Sequence, residues 1–300
     1  MLNSILKRAN MAKPEWLSIK PASTEKYKEI KETISTLGLH TVCTEANCPN
    51  ITECWSGGTA TFMVLGELCT RGCKFCNVLK SAKGANIDPL EPYKLAQVVK
   101  KWGLPYIVIT SVCRDDLPDQ GAGHFAKCIE EIKKMNPQTM VEVLIPDFQE
   151  NSEFLRKVVE AKPDVVGHNI ETVERLTPSV RDRRAMYRQS LKVLANVKEI
   201  DKTRYTKSAM MLGIGETDEE ILQAFADLRA ANVDFLAIGQ YLKPKGYHLD
   251  VKEYVTPEKF EILKQKALDA GFLYVAAGPF VRSSYKAGEH FIQAIVKSKN

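Results

Sequence analysis

From residue 59 onward, short apolar segments alternate with segments that have the apolar period of an α-helix, and this alternation limits the chain to few folds. Six of the apolar segments are rich in aliphatic and β-branched residues, which is typical of buried strands. They cover residues 61–65, 106–110, 140–145, 164–166, 208–212 and 235–238. Strands that alternate with helices form a parallel sheet through right-handed crossovers. The sequence therefore predicts an α/β fold, a partial (β/α)6 TIM-like barrel, because six units are too few for the eight-stranded form.

The segments on either side of this barrel have a different pattern. Residues 1–58 lack the alternation and contain Pro14, Pro21 and Pro49, which predicts an irregular N-terminal extension that lies on the barrel. We assign residues 59–272 to the barrel and residues 273–300 to a C-terminal extension. Within that extension, the apolar run 273–277 predicts one extra strand.

The charge and hydropathy of the chain argue against two classes of partner. A net charge of +5 comes from 42 basic and 37 acidic residues, and no block of like charge is present, so we expect no nucleic-acid partner. An acidic protein partner is compatible with this balance. No apolar run approaches the roughly 20 residues that cross a bilayer, which predicts a soluble protein without a membrane partner.

The first 13 residues are basic, with Lys7, Arg8 and Lys13 and no acidic residue. We interpret this segment as a disordered or docking terminus, although a short organellar transit peptide has the same pattern. It has no apolar core of the kind that a secretory signal peptide needs. We therefore expect the protein in the cytoplasm, with an organellar matrix as the alternative.

Six of the eight cysteines fall in two clusters between Cys43 and Cys76. Without a secretory signal, clustered thiols in a chain of this size indicate metal binding rather than disulfides. One cluster, Cys69-Thr-Arg-Gly-Cys73-Lys-Phe-Cys76, follows the first predicted strand, where barrel enzymes carry their active sites. Three thiolates hold three irons of a four-iron cluster and leave the fourth iron open, whereas a structural zinc site needs four protein ligands.

The other cluster contains Cys43, Cys48 and Cys54, with the spacing Cys-x4-Cys-x5-Cys. It also offers three thiolates, so a fourth ligand must come from elsewhere in the chain. Cys113, Cys128, a histidine and a hydroxyl group are all candidates. Spacing alone does not choose between them.

The spacing Cys-x3-Cys-x2-Cys, with Phe75 before the last cysteine, resembles the signature of the radical S-adenosylmethionine superfamily. Over residues 14–290 the chain further resembles one family of it, the lipoyl synthases. The motifs that carry this resemblance are Gly38-Leu-His-Thr-Val-Cys43, Cys48-Pro-Asn-Ile-Thr-Glu-Cys54-Trp, Gly58-Thr-Ala-Thr-Phe-Met63, Thr110-Ser-Val-Cys-Arg-Asp-Asp-Leu-Pro118, His168-Asn-Ile-Glu171, Met211-Leu-Gly-Ile-Gly-Glu216, Gly239-Gln-Tyr-Leu242 and Arg282-Ser-Ser-Tyr285.

The resemblance implies two 4Fe-4S clusters and S-adenosylmethionine as cofactors. The cluster on Cys69, Cys73 and Cys76 would generate 5′-deoxyadenosyl radicals. An auxiliary cluster on Cys43, Cys48 and Cys54, completed by Ser284, would donate sulfur. The implied reaction is the insertion of two sulfur atoms at carbons 6 and 8 of a protein-bound octanoyl-lysine, with the radical-loop cysteines and Ser284 as the catalytic groups.

Four further side chains are candidates for contacts with S-adenosylmethionine. Phe75 is expected to stack on the adenine, with simple packing as the alternative. Asn169, Glu171 and Arg184 are polar residues after later strands and are expected to contact the ribose or the methionine groups, with loop capping for Asn169 and Glu171 and a solvated face for Arg184 as the alternatives. Cys113 departs from the family, which usually has aspartate at this place, so the role of that side chain is left open. Cys128, among helical residues, is interpreted as a buried thiol.

The implied partners are an octanoylated lipoyl carrier protein, either a lipoyl domain or the glycine cleavage H protein, an electron donor such as ferredoxin or flavodoxin, and an iron-sulfur repair carrier. Two alternatives remain at this point. One is another two-cluster radical enzyme that inserts sulfur, similar to a methylthiotransferase. The other is a non-catalytic iron-sulfur electron carrier, which the open iron of the three-cysteine loop disfavours.

Overall fold

The computed structural model describes residues 13–18, 24–246 and 248–287. Apart from Lys13, the basic N-terminal segment lies outside these residues. So does the end of the C-terminal extension, 288–300.

An eight-stranded sheet forms the centre of the described structure, in the order β1-β2-β5-β6-β7-β8-β9-β10. All neighbours from β2 to β10 are parallel, and β1 is antiparallel to β2. A small separate sheet pairs β3 with β4. The strands are β1 His40–Thr41, β2 Thr61–Val64, β3 Leu68–Cys69, β4 Leu79–Lys80, β5 Tyr106–Ser111, β6 Met140–Leu144, β7 Val165–Gly167, β8 Tyr205–Leu212, β9 Phe235–Gln240 and β10 Tyr274–Gly278.

Helices connect the parallel strands and cover the sheet. The α-helices are α1 Glu25–Leu37, α2 Val42–Glu45, α3 Ile51–Ser56, α4 Glu91–Trp102, α5 Ala122–Met135, α6 Ser152–Glu160, α7 Thr177–Val180, α8 Tyr187–Ile200, α9 Asp218–Ala230 and α10 Pro257–Asp269. Short 3-10 helices cover Glu15–Leu17, Phe148–Glu150 and Glu174–Leu176. In the described part of the chain, no helix combines the length and the apolar character that a membrane span requires.

The predicted partial barrel is confirmed, since each of the six predicted strands corresponds to one of the parallel strands. The predicted extra strand is β10, which pairs in parallel with β9 and becomes a seventh parallel strand. Buried aliphatic side chains such as Ile109, Val143 and Ile238 fill the strands, as expected for a parallel sheet that is covered on both faces.

The N-terminal extension is less irregular than the sequence predicts, because it contains the 13-residue helix α1. Ile30 and Ile34 lie one turn apart and are buried against the barrel. The Thr24 hydroxyl accepts a hydrogen bond from the backbone N–H of Tyr27 at the start of the helix, and Gly38 ends the helix at a φ of 60°. The prediction of an irregular extension was wrong here. Prolines and cysteines, which favour irregular structure, lie on either side of this short amphipathic segment.

Candidate active site

The three-cysteine loop begins at the small β3–β4 sheet, whose strands hold Cys69 in register with Lys80. Thr70 fixes the next position, because its backbone N–H and its hydroxyl both donate to the carbonyl oxygen of Cys113, at 3.0 and 2.9 Å. Further along the loop, the backbone N–H of Asp182 donates to Cys73 Sγ at 3.3 Å. Amide donors to cysteine sulfurs are among the features that tune iron-sulfur clusters.

Arg71, inside the same loop, is only 4% exposed and bonds to two carboxylates from neighbouring strand ends. Its Nη2 donates to Asp115 Oδ1 at 2.9 Å and to Asp147 Oδ1 at 2.7 Å. Burial opposes ionisation of Asp115, but hydrogen bonds from Arg71 and Thr70 outweigh it and lower the pKa of Asp115 to about 2. The guanidinium thus ties the cysteine loop to the ends of β5 and β6. The role of Arg71 was not predicted from the sequence, because Asp115 and Asp147 are both distant from it in the chain.

Replacing Arg71 by methionine is expected to lower the free energy of unfolding by about 3–5 kcal/mol, since Asp115 and Asp147 would remain buried without a counter-ion. Urea unfolding of the reconstituted protein measures the change. Arg71→Lys, which keeps the charge but loses the bidentate geometry, should lose less. Equal stability of Arg71→Met and the parent chain would contradict this role.

The thiols of the loop influence one another. Burial, followed by charge repulsion from the Cys73 and Cys69 thiolates, raises the pKa of Cys76 to about 12. The Cys113 thiol donates to the sulfur of Cys69, which lowers the pKa of Cys69 and raises that of Cys113. Buried thiols with raised pKa values lose their protons when a metal binds. The loop therefore fits a cluster that supplies positive charge to all three sulfurs.

The second cysteine triplet lies in the N-terminal extension. Cys43 belongs to α2 and Cys54 to α3, with Cys48 in the connection between the two helices. Burial, followed by repulsion from the Cys43 and Cys48 thiolates, raises the pKa of Cys54 to about 12. The three thiols are thus close enough in space for each thiolate to oppose the ionisation of the next.

The Arg-Ser-Ser-Tyr motif lies against this triplet. Asn50 Nδ2 donates to the carbonyl oxygen of Phe280 at 2.7 Å, and the Tyr285 hydroxyl contacts the Glu53 carboxylate at 3.1 Å. A Cβ atom at Gly239 would lie 2.1 Å from the Val281 carbonyl oxygen, so only glycine lets β9 approach this segment.

Three of the predicted S-adenosylmethionine contacts, Phe75, Asn169 and Glu171, line one cavity. Asn169 Nδ2 donates to Glu171 Oε1 at 3.0 Å and to Ser283 Oγ at 2.8 Å. Glu171 has a φ of 67°, a left-handed conformation that costs a non-glycine residue about 1–3 kcal/mol and is typical of functional sites. Burial raises the pKa of its carboxyl group, and the nearby charge of Arg181 opposes this.

Arg184, the fourth predicted contact, and the nearby Arg181 differ in their positions relative to the cavity. Arg184 is not among the residues that line the cavity, and its guanidinium donates to Asp182 Oδ1 at 2.8 Å and to the Thr70 carbonyl oxygen at 2.6 Å. Arg181 lines the cavity, is 7% exposed and donates from Nη1 to Ser190 Oγ at 2.7 Å. Its Nε is buried and has no hydrogen-bond partner among the described residues. The sequence around residue 181 contains several arginines, and only the fold shows which one faces the cavity.

The cavity has a volume of about 1080 Å³ and joins both cysteine triplets. This volume is at the upper end of the roughly 300–1,000 Å³ that ligand sites occupy. Its wall also includes Met63, Val108, Ala209 and Ala237 from four strands of the barrel. Ser283, Ser284 and Tyr285 of the C-terminal motif line the same space.

Comparison with known proteins agrees with these features. The sequence model of one protein family, the radical SAM superfamily, matches residues 63–228. The chain is 55% identical over 285 residues to the lipoyl synthase of Myxococcus xanthus and covers 95% of both chains. The chain belongs to the lipoyl synthase family. A mitochondrial lipoyl synthase of Culex quinquefasciatus is 54% identical, with 95% of this chain and 77% of the relative covered.

Membership of the lipoyl synthase family makes this protein a radical sulfur-inserting enzyme that uses a 4Fe-4S cluster and S-adenosylmethionine. The methylthiotransferase and electron-carrier alternatives are therefore set aside. Among solved structures, Streptococcus suis SuiB bound to S-adenosylmethionine has a TM-score of 0.54 at 13% identity. The alignment covers 81% of this chain but only 57% of that one, so it supports the fold alone.

Proposed function

We propose that this enzyme inserts sulfur at carbons 6 and 8 of an octanoyl chain attached to a lysine of a lipoyl carrier protein. The observation that carries the proposal is the single cavity that both cysteine triplets line. The carbons to be modified have no acidic hydrogen and no leaving group, so acid–base catalysis does not help and the cofactors must supply the reactivity. When bound, the loop cluster and S-adenosylmethionine supply the 5′-deoxyadenosyl radical that removes hydrogen from these carbons.

The side chains of the cavity would bind and orient the reactants. Cys69, Cys73 and Cys76 would hold the radical-generating cluster, with Arg71 fixing their loop. Phe75 would stack on the adenine, and Asn169 and Glu171 would hydrogen-bond to the ribose or the methionine amino group. The apolar wall, including Val108, would exclude water from the radical and accommodate the alkyl chain.

A second 4Fe-4S cluster on Cys43, Cys48, Cys54 and Ser284 would supply the sulfur. Support comes from the contacts that hold the Ser284 segment against α3, such as Tyr285 with Glu53. The three proposed segments then have distinct roles. The segment 1–58 would contribute its three cysteines and the segment 273–300 its Ser284 to the auxiliary cluster, and the barrel, 59–272, would bind S-adenosylmethionine.

The decisive experiment is anaerobic reconstitution followed by incubation with an octanoyl-lysine peptide, S-adenosylmethionine and dithionite. We expect about eight irons per chain from two four-iron clusters, and a product whose mass has increased by two sulfur atoms. An octanoyl peptide that gains no sulfur, although S-adenosylmethionine is cleaved, would reject the proposed reaction.

For S-adenosylmethionine binding we infer a role for Arg181 in place of the predicted Arg184. Arg181 lines the cavity, and its buried Nε has no hydrogen-bond partner among the described residues, so the guanidinium retains a donor for a ligand carboxylate. Loss of one charged hydrogen bond costs about 1.5–3 kcal/mol. Arg181→Gln should therefore weaken S-adenosylmethionine binding by roughly ten- to a hundredfold.

Equilibrium dialysis of the reconstituted variant measures this affinity, and Arg184→Gln is the matched control. Because Arg184 already bonds to Asp182 and Thr70, we expect it to act on the loop rather than on the ligand. A larger loss of affinity in Arg184→Gln than in Arg181→Gln would reverse the assignment.

The expected partners are an octanoylated lipoyl domain or glycine cleavage H protein, a ferredoxin or flavodoxin that supplies electrons, and an iron-sulfur carrier that restores the auxiliary cluster. We propose a cytoplasmic location, with an organellar matrix as the alternative. Some relatives are named as mitochondrial or chloroplastic lipoyl synthases, and others carry no location in their names.

A further inference from the structure

The lining of the cavity includes four exposed lysines, two of which form no ion pair among the described residues. Lys80, Lys243, Lys245 and Lys286 all line the cavity. Lys243 forms an ion pair with Asp250 at 2.7 Å, and Lys286 pairs with Glu53 at 3.3 Å. Lys80 and Lys245 are exposed, and neither forms an ion pair within the described part of the chain.

The acidic groups of the cavity do not offset these two charges. The carboxylate of Asp147 is bonded to Arg71, and Glu53 is paired with Lys286. Glu171 is directed inward and bonds to Asn169. The cavity opening therefore has a positive potential toward solvent.

Lys80 and Lys245 lie on segments that meet at the three-cysteine loop. Lys80 is in β4, in register with Cys69. The segment that follows Lys245 reaches the same loop through His248, whose Nε2 lies 3.2 Å from the carbonyl oxygen of Cys76. Next to Lys80 in β4, Leu79 is 59% exposed. Lys74, within the three-cysteine loop, is also exposed and forms no ion pair among the described residues. We call Lys74, Leu79, Lys80 and Lys245 the basic rim, of which Lys80 and Lys245 line the cavity itself.

We propose that the basic rim is the docking surface for an acidic face of the carrier domain. This inference rests on the proposed function, in which the octanoyl-lysine arm enters the cavity while the folded body of the carrier stays outside. The carrier must then cover the residues that surround the opening. Unpaired lysines favour an acidic surface there and speed its encounter with the enzyme, and Leu79 offers an apolar contact between them.

The test compares two substrates with the reconstituted full-length enzyme: an octanoylated carrier domain and a short uncharged peptide that contains octanoyl-lysine. In the double variant Lys80→Glu/Lys245→Glu, KM for the carrier should rise roughly tenfold or more. The KM for the peptide and the rate of S-adenosylmethionine cleavage should change much less than the carrier KM. Added salt should raise the carrier KM of the parent enzyme and have little effect on that of the variant.

The matched control is Lys127→Glu/Lys202→Glu, which makes the same change in net charge. Lys127 is exposed on α5, and Lys202 is exposed before the amino end of β8, at the opposite end of the barrel from the cavity. An equal rise of the carrier KM in both double variants would overturn the docking surface, and so would an unchanged carrier KM in the rim variant. Equal losses on carrier and peptide would overturn it as well. A parent enzyme that sulfurates neither substrate would instead reject the proposed function.

Discussion

Replacing any one of Cys69, Cys73 and Cys76 by alanine will abolish the formation of 5′-deoxyadenosine. In the proposed function each cysteine would supply one of only three protein bonds to the loop cluster, and an iron open to S-adenosylmethionine would require all three bonds. The loop offers no substitute among its immediate neighbours except Cys113, whose thiol is already in contact with Cys69. The loss should therefore be complete rather than partial.

The measurement is chromatographic quantification of 5′-deoxyadenosine after reduction by dithionite, together with the iron content. About four irons per chain should remain, because Cys43, Cys48 and Cys54 lie on a different segment. Cys128→Ala is the matched control, since Cys128 is fully buried in α5 and should retain cleavage. Retained cleavage in all three loop variants would refute the radical assignment.

Ser284→Cys will still assemble the auxiliary cluster and cleave S-adenosylmethionine, but it will form little or no doubly sulfurated product. A hard oxygen ligand is an unusual partner for iron in a cluster that soft thiolates otherwise hold, so it is the easier ligand to lose. A cluster that must release sulfide to a substrate radical needs one iron that departs readily. Cysteine at this position would retain that iron.

The test labels cluster sulfide with a heavy isotope and follows the mass of the product. Ser283→Cys is the matched control, because Ser283 lines the same cavity but accepts its hydrogen bond from Asn169. It should continue to form labelled product. Full sulfuration by Ser284→Cys, or unlabelled sulfur in the product of the parent enzyme, would show that this account of Ser284 is wrong.

The barrel strands were predicted correctly from the sequence. Helix α1 was not predicted, because residues that favour irregular structure lie next to it in the chain. The strands of the barrel were found because each is a continuous apolar run that is buried on both faces. Helix α1 was missed because Pro21 and Cys43 lie on either side of an amphipathic segment of only 13 residues. Ile30 and Ile34 in this segment have the spacing of one helical face, and this spacing is the feature of the sequence that indicates the helix.

The arginines show what sequence did not determine. Residues 181, 183 and 184 are all arginine, and no local pattern separates them. Tertiary packing places Arg181 in the cavity and bonds Arg184 to Asp182. Arg71 is a similar case, because its partner Asp147 is 76 residues away in the chain.

By itself, the sequence determined the alternation of strands and helices and the spacing of the two cysteine triplets, because periodicity and ligand spacing are properties of short segments. Only the tertiary structure decided that both triplets share one cavity with Ser284, and that Lys80 and Lys245 stand beside its opening. Those relations depend on how segments far apart in the chain pack together. Such packing is set by the long-range contacts of the barrel and not by any local pattern.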